Sequence, residues 1–153
     1  TGVLYPLQTF TKTKKIDFKE VPIFIESNNA ESEHLMMLLA KAISNKVRKI
    51  GSEERKALHV AAVFASNFTN HMLTLSKKVL EQNGLDFDLL KPLILETVQK
   101  SLSVGPENAQ TGPAKRGDLE ILDKHIEFLQ EDETLTEIYK LMSQDILDKY
   151  QSE

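Results

Sequence analysis

Apolar positions change their spacing near Gly51, and the change separates two kinds of structure. Before it, short apolar runs alternate with turn residues. Gly2–Tyr5 reads as a buried strand stopped by Pro6, Val21–Ile25 as a second strand with Pro22 near its start, and Val47–Ile50 as a third. Between the last two, Ser27-Asn28-Asn29 offers cap chemistry for a helix from about Ala30 to Ser44, with Leu35, Leu38, Leu39, Ala42 and Ile43 as its apolar face. The predicted order is β-loop-β-α-β, an α/β piece. In an open sheet of that kind ligands sit beyond the carboxyl ends of the strands, where Leu7-Gln8-Thr9-Phe10 leaves the first one.

After Gly51 the spacing is helical. Ser52–Gly84 predicts one helix of about 30 residues, roughly 45 Å long. Ser52 stands as its N-cap, Glu53 and Glu54 occupy its first turn, and Asn83-Gly84 ends it. Leu58, Ala61, Ala62, Phe64, Ala65, Phe68, Met72 and Leu75 suit a helix buried on most sides. Asp86 caps a helix to about Ser103, entered late or kinked at Pro92, with Leu90, Leu93, Ile94, Val98 and Leu102 inward. Val104–Gly117, interrupted by glycine and proline, reads as a long loop. Asp118 then caps a helix to about Gln130, and Leu135–Tyr150 forms the last, whose Leu135, Ile138, Leu141, Met142 and Ile146 make a core or dimer seam. The expected fold is therefore mainly α around one long central helix, preceded by a small α/β piece, with domains at 1–50 and 51–153.

Composition narrows the partners. With 153 residues and 41% hydrophobic content the chain can bury a core. A net charge of −4 with interspersed signs leaves no basic stripe for nucleic acid. No apolar run has bilayer length. The absence of cysteine removes thiolate chemistry and fits a reducing cytoplasm, and the four histidines show no metal-ligand spacing, so no metal site is expected. The opening Thr1-Gly2-Val3-Leu4-Tyr5, without an initiator methionine, reads as though it begins inside a sheet, as a piece of a longer protein would.

One polar line crosses the apolar middle of the long helix. At 100° per residue, Lys56, His59, Val63, Asn67 and Asn70 fall within about 80° of one another. His59 suits proton exchange near neutrality, and the competing reading is a histidine bonded to a loop carbonyl. Lys56 could bind a carboxylate or simply pair with Glu53. The amides of Asn67 and Asn70 can donate to and accept from a ligand, or tie down a loop. In the predicted loop, Arg116 offers a planar fork for an anion, Thr111 a hydroxyl, and Asp118 a cap that could also hold Arg116.

Three stretches, LYPLQTF at 4–10, LHVAAVFASNF at 58–68 and TGPAKRGD at 111–118, together resemble the C-terminal part of bacterial Rossmann-like NADP-dependent oxidoreductases, whose helical domain is a domain of unknown function. The chain is more distantly similar to the 6-phosphogluconate dehydrogenase C-terminal-like superfamily, with pyrroline-5-carboxylate reductase and ketopantoate reductase. The resemblance implies that these strands are the last of a Rossmann-type sheet. It also implies a preceding nucleotide-binding half that holds most of the NADP, and a helical domain that binds substrate and forms a homodimer. It places Gln8 and Thr9 at the nicotinamide end of the cofactor. The substrate implied is a small, anionic carbonyl or imine compound, with His59 as acid/base, Asn67 orienting the reacting group, and Lys56 or Arg116 holding the anion. The pattern departs from the family at Tyr5, where its motif has histidine. The Lys-xxx-Asn pair of the β-hydroxyacid dehydrogenases is also absent, because Val60 follows Lys56 at that spacing. The contrasting reading is a helical association module with no catalysis of its own.

Overall fold

The computed structural model describes residues Thr1–Gln151. The fold is mainly α with one small sheet at its start. The chain forms two compact units, Thr1–Thr74 and Leu75 onward.

The first unit holds three strands, β1 (Gly2–Pro6), β2 (Ile23–Ser27) and β3 (Val47–Lys49), in the order β1-β2-β3. β2 and β3 run parallel, as a crossover through helix α1 (Ala30–Ile43) requires. β1 runs antiparallel to β2, with Tyr5 opposite Phe24 and Val3 opposite Glu26. The sheet is therefore mixed, and the carboxyl end of β1 lies at the amino ends of β2 and β3. Alternation on β2 puts Ile23 and Ile25 fully inside, against Ala40 of α1 with Met36 and Met37 beside it. Buried Ser44 closes the helix–strand turn, its hydroxyl donating to the Val21 carbonyl at 2.6 Å while accepting from Lys46 N–H at 2.9 Å.

This packing corrects the face expected for α1. Met36, Met37 and Ala40 meet the sheet, whereas Leu35, Leu38, Leu39 and Ile43 are exposed in this chain. The helix is apolar on two sides, so periodicity alone could not choose between them.

The long helix follows as α2 (Ser52–Ala62), a π-helical turn (Val63–Phe68) and α3 (Thr69–Gln82). Its N-cap is Gly51 rather than Ser52: Gly51 N–H donates to the Glu54 carboxylate at 2.8 Å, and the Ser52 hydroxyl is used on Glu26. No residue of these helical segments is fully buried within the chain, and Val60, Phe64 and Phe68 are exposed, contrary to the buried spine expected.

In the second unit, Asp86 caps a 3-10 turn at Phe87–Leu90, and α4 (Lys91–Val104) begins beside Pro92, where a missing N–H is harmless. Its Leu93, Val98 and Leu102 are exposed rather than inward. The expected loop at 104–117 contains two short helices, α5 (Pro106–Ala109) and α6 (Pro113–Arg116). Gly112 and Gly117 bracket α6 at φ of 105° and 69°, the left-handed region that side-chain-bearing residues rarely enter. Asp118 caps α7 (Leu119–Leu129) by accepting from Ile121 N–H at 3.3 Å. Asp132 similarly accepts from Leu135 N–H at the start of α8 (Glu133–Gln151). Leu122, Leu135 and Thr136 are buried where α7 and α8 pack, and α8 returns along α6, its Tyr150 hydroxyl donating to the Glu107 carbonyl at 2.9 Å.

Candidate functional site

The site lies where α2 runs back along the sheet. Arg55 and Ser52 both bond the carboxylate of Glu26, with Arg55 Nε at 2.8 Å. The Ser52 hydroxyl first, and the Arg55 guanidinium next, hold that carboxyl below the usual glutamate range. Glu26 stands opposite Val3 of β1. One helical turn beyond Arg55 advances about 6 Å, and two residues along a strand advance about 6.7 Å. His59 accordingly meets Tyr5: Tyr5 Oη lies 3.2 Å from His59 Nδ1, with the rings edge-on at 6.2 Å between centroids.

An open cleft of about 570 Å³ surrounds this contact. Its polar wall is Tyr5, Gln8, Thr9, His59, Ser66 and Asn67, and its apolar wall comes from Pro6, Leu7 and Phe10 on one side and Ala62, Val63 and Ala65 on the other. Among the described residues no Asp, Glu, Lys or Arg side chain lines it. The loop wall is held locally. Leu7 N–H donates to the Pro22 carbonyl at 2.9 Å, Thr9 N–H to Gln8 Oε1 at 2.8 Å, and Phe10 stacks on Phe18.

The helix wall contains the π turn. There i→i+5 bonding widens the helix, and such turns recur at functional sites. The Thr69 hydroxyl donates to the carbonyl of Phe64, five residues back, at 3.2 Å, and the Phe64 and Phe68 rings meet edge-to-face at 5.0 Å. Each residue here turns through less than 100°, so the polar line drawn from α periodicity is shifted: His59, Val63 and Asn67 share the cleft wall, whereas Asn70 beyond the turn does not line it.

Of the residues singled out from the sequence, the structure brings His59, Asn67, Gln8 and Thr9 to one cleft. Lys56 and Asn70 do not line it. Lys56 pairs with Glu53 at 2.7 Å on the exposed first turn of α2. Thr111 and Arg116 belong to the second unit, where both are exposed. Asp118 caps α7 and makes no ion pair with Arg116 among the described residues. Tyr5 and Ser66 add polar groups to the cleft that sequence reasoning does not assign to it. Tyr5 stands out along the chain only as a departure from a motif, since its partner depends on the placement of α2 over β1. Ser66, seven residues beyond His59, is foreseeable from helical spacing. Among the described residues no three His, Asp or Glu side chains are grouped to hold a metal ion, and no helix is long and apolar enough to cross a membrane.

Residues 21–146 match the family described as domain of unknown function DUF2520, and the chain belongs to that family. No curated protein matches it. Among solved structures it is similar to a putative NADP oxidoreductase, BF3122, from Bacteroides fragilis, with 44% identity and a TM-score of 0.90 over 96% of this chain. It is also similar to protein TM1727 from Thermotoga maritima, with 25% identity and a TM-score of 0.78 over 99% of this chain. The chain spans 57% and 62% of the lengths of these two proteins.

Proposed function

We propose that this chain is the substrate-handling part of an NADP-dependent oxidoreductase that acts on a small carbonyl or imine compound, with the cleft at the end of β1 as the reacting site. The observation that carries this reading is the convergence of His59 and Asn67 from the long helix with Gln8 and Thr9 from the strand end on one open cleft. Support comes from the 44% identity to a protein bearing the name of an NADP oxidoreductase.

The residues present fit the uncharged end of such a cofactor. Gln8, Thr9 and Asn67 supply neutral hydrogen-bonding groups to a carboxamide, and Leu7 and Val63 an apolar surface for a flat ring. No lysine or arginine among the described cleft residues would meet phosphate. When bound, the nicotinamide supplies a hydride donor or acceptor. His59 then handles the proton that accompanies hydride transfer, and Asn67 orients the reacting oxygen or nitrogen. The anionic group of a substrate would be held outside this neutral cleft.

The test is NADPH turnover with candidate keto acids and imines, in the protein that carries this chain. His59→Ala is expected to lower kcat/KM by about a hundredfold or more, the usual worth of a general acid. A loss within about threefold overturns the assignment.

The second reading is a homodimerisation module. It is favoured by the exposure of Leu93, Leu102 and Leu141 at 62%, 83% and 71%, which a second copy would cover. A strict monomer by sedimentation at micromolar concentration removes it. A dimer that binds no NADPH favours it over the enzyme.

A further inference from the structure

We propose that Tyr5 is a positioning residue for His59, its phenol occupying Nδ1 so that the ring offers Nε2–H to a molecule in the cleft. The inference rests on the reading of His59 as the group that handles the proton.

Three observations carry it. Tyr5 Oη and His59 Nδ1 are 3.2 Å apart although 54 residues separate them in sequence, and both side chains line the same cleft. Each partner is fixed from its own side. Tyr5 sits in the sheet opposite Phe24, whose ring centroid is 6.5 Å away. His59 follows by one turn the Arg55 that is bound to Glu26. Lys56, the charged group nearest in sequence, is paired with Glu53, so no lysine, arginine or carboxylate among the described cleft residues competes for the ring.

The chemistry sets the direction of the bond. A phenol O–H is a better donor than a neutral imidazole N–H, and the bare imidazole nitrogen is the better acceptor. Tyr5 therefore donates to Nδ1, and the single proton of the neutral ring stays on Nε2. If the ring takes a second proton, Nδ1–H becomes the donor and the phenol oxygen accepts, because a hydroxyl does both. The contact persists in both states. The ring is held in one orientation in both states and turns Nε2–H to the cleft in each, which is how a histidine is oriented by the bond at its other nitrogen.

A second tyrosine–histidine contact gives an internal control. His125 Nδ1 and Tyr139 Oη are 2.7 Å apart in the second unit, where they join α7 to α8. The experiment is long-range proton–nitrogen NMR of the imidazoles in nitrogen-15-labelled protein, wild type and Tyr5→Phe, with His59 assigned by the loss of its signals in His59→Gln. In the wild type, neutral His59 is expected to show Nε2 protonated and Nδ1 at the position of a hydrogen-bonded acceptor. In Tyr5→Phe, Nδ1 is expected to move toward the value of an unbonded nitrogen while His125 stays in place. A His59 signal that Tyr5→Phe leaves unmoved, or a wild-type ring protonated on Nδ1, overturns the inference.

If Tyr5→Phe does not fold, the reciprocal measurement serves: the Tyr5 ring carbon bearing the hydroxyl is expected to shift in His59→Gln, and no shift overturns the pairing. In turnover, Tyr5→Phe is expected to lower kcat about tenfold with KM within about twofold, the pattern of a lost orienting contact. The two ideas fail separately. An unmoved His59 signal removes the role of Tyr5 and leaves the cleft chemistry standing, whereas full activity in His59→Gln removes the acid/base reading even with the NMR pairing intact.

Discussion

Glu26 shows how one side chain sets the register between sheet and helix. Bonds from Ser52 and Arg55 fasten the first turn of α2 to β2, and from there the rise of the helix delivers His59 to Tyr5. Its carboxyl is held below the ordinary range, so its contribution to stability is complete above the unfolded-state value and is lost as the pH falls through the folded one. Glu26→Gln is therefore expected to lower the melting temperature at pH 7. It should also flatten the further drop expected below about pH 4.3, the ordinary glutamate value; melts across pH 3 to 7 check both. Asp132 has the same sign, depressed first by Lys78 and then by the Leu135 N–H that it caps. Asp132→Asn is expected to remove acid sensitivity from the second unit. At this scale the sequence is legible where a residue acts locally, as with Asp86 and Asp118 at helix starts and Lys56 beside Glu53. It is silent where a residue acts across the fold, as Tyr5 does.

Among the elements, the π turn is the feature that periodicity misplaces. A hydrophobic pattern reports which residues share a side of a regular helix; it does not report where one turn takes an extra residue. Thr69→Val removes the hydroxyl that bonds the Phe64 carbonyl while keeping the side chain's shape. The expected loss is about 1 kcal/mol, measured by urea denaturation, with Asn67 signals shifting more than those of Ala40. Core positions should respond more strongly. Ile23→Ala in the sheet and Leu135→Ala in α8, at 0% and 6% exposure, are each expected to lose about 2–5 kcal/mol. Equality with an exposed leucine would contradict the packing described.

At the scale of the whole molecule, the main imbalance is between a small buried core and many exposed leucines. Leu93 and Leu102 on α4 touch little of their own chain, since α4 packs chiefly on the 3-10 turn before it and α5 after it. If a second copy covers that face, Leu93→Glu with Leu102→Glu is expected to shift sedimentation toward the monomer; an unchanged dimer would place the seam elsewhere. The cleft chemistry is expected to survive in the first unit as the NMR pairing of Tyr5 with His59.

What the sequence by itself determined was the three strands, the longer helices and their order, though not the two short helices at 106–116 or the π turn, because caps, prolines, glycines and apolar spacing are local signals. Asn29 before α1, Pro92 at the head of α4 and Gly117 after α6 all act within a few residues of where they stand. It also marked His59, Asn67, Gln8 and Thr9, the first two by polarity on an apolar helix and the last two by a motif. Only the tertiary structure decided which face of α1 meets the sheet, that β1 runs antiparallel to β2, and that Tyr5 touches His59. Those outcomes depend on which of several competing apolar surfaces is covered and on bonds such as Arg55 to Glu26 that close over long separations. No periodicity along the chain encodes that choice.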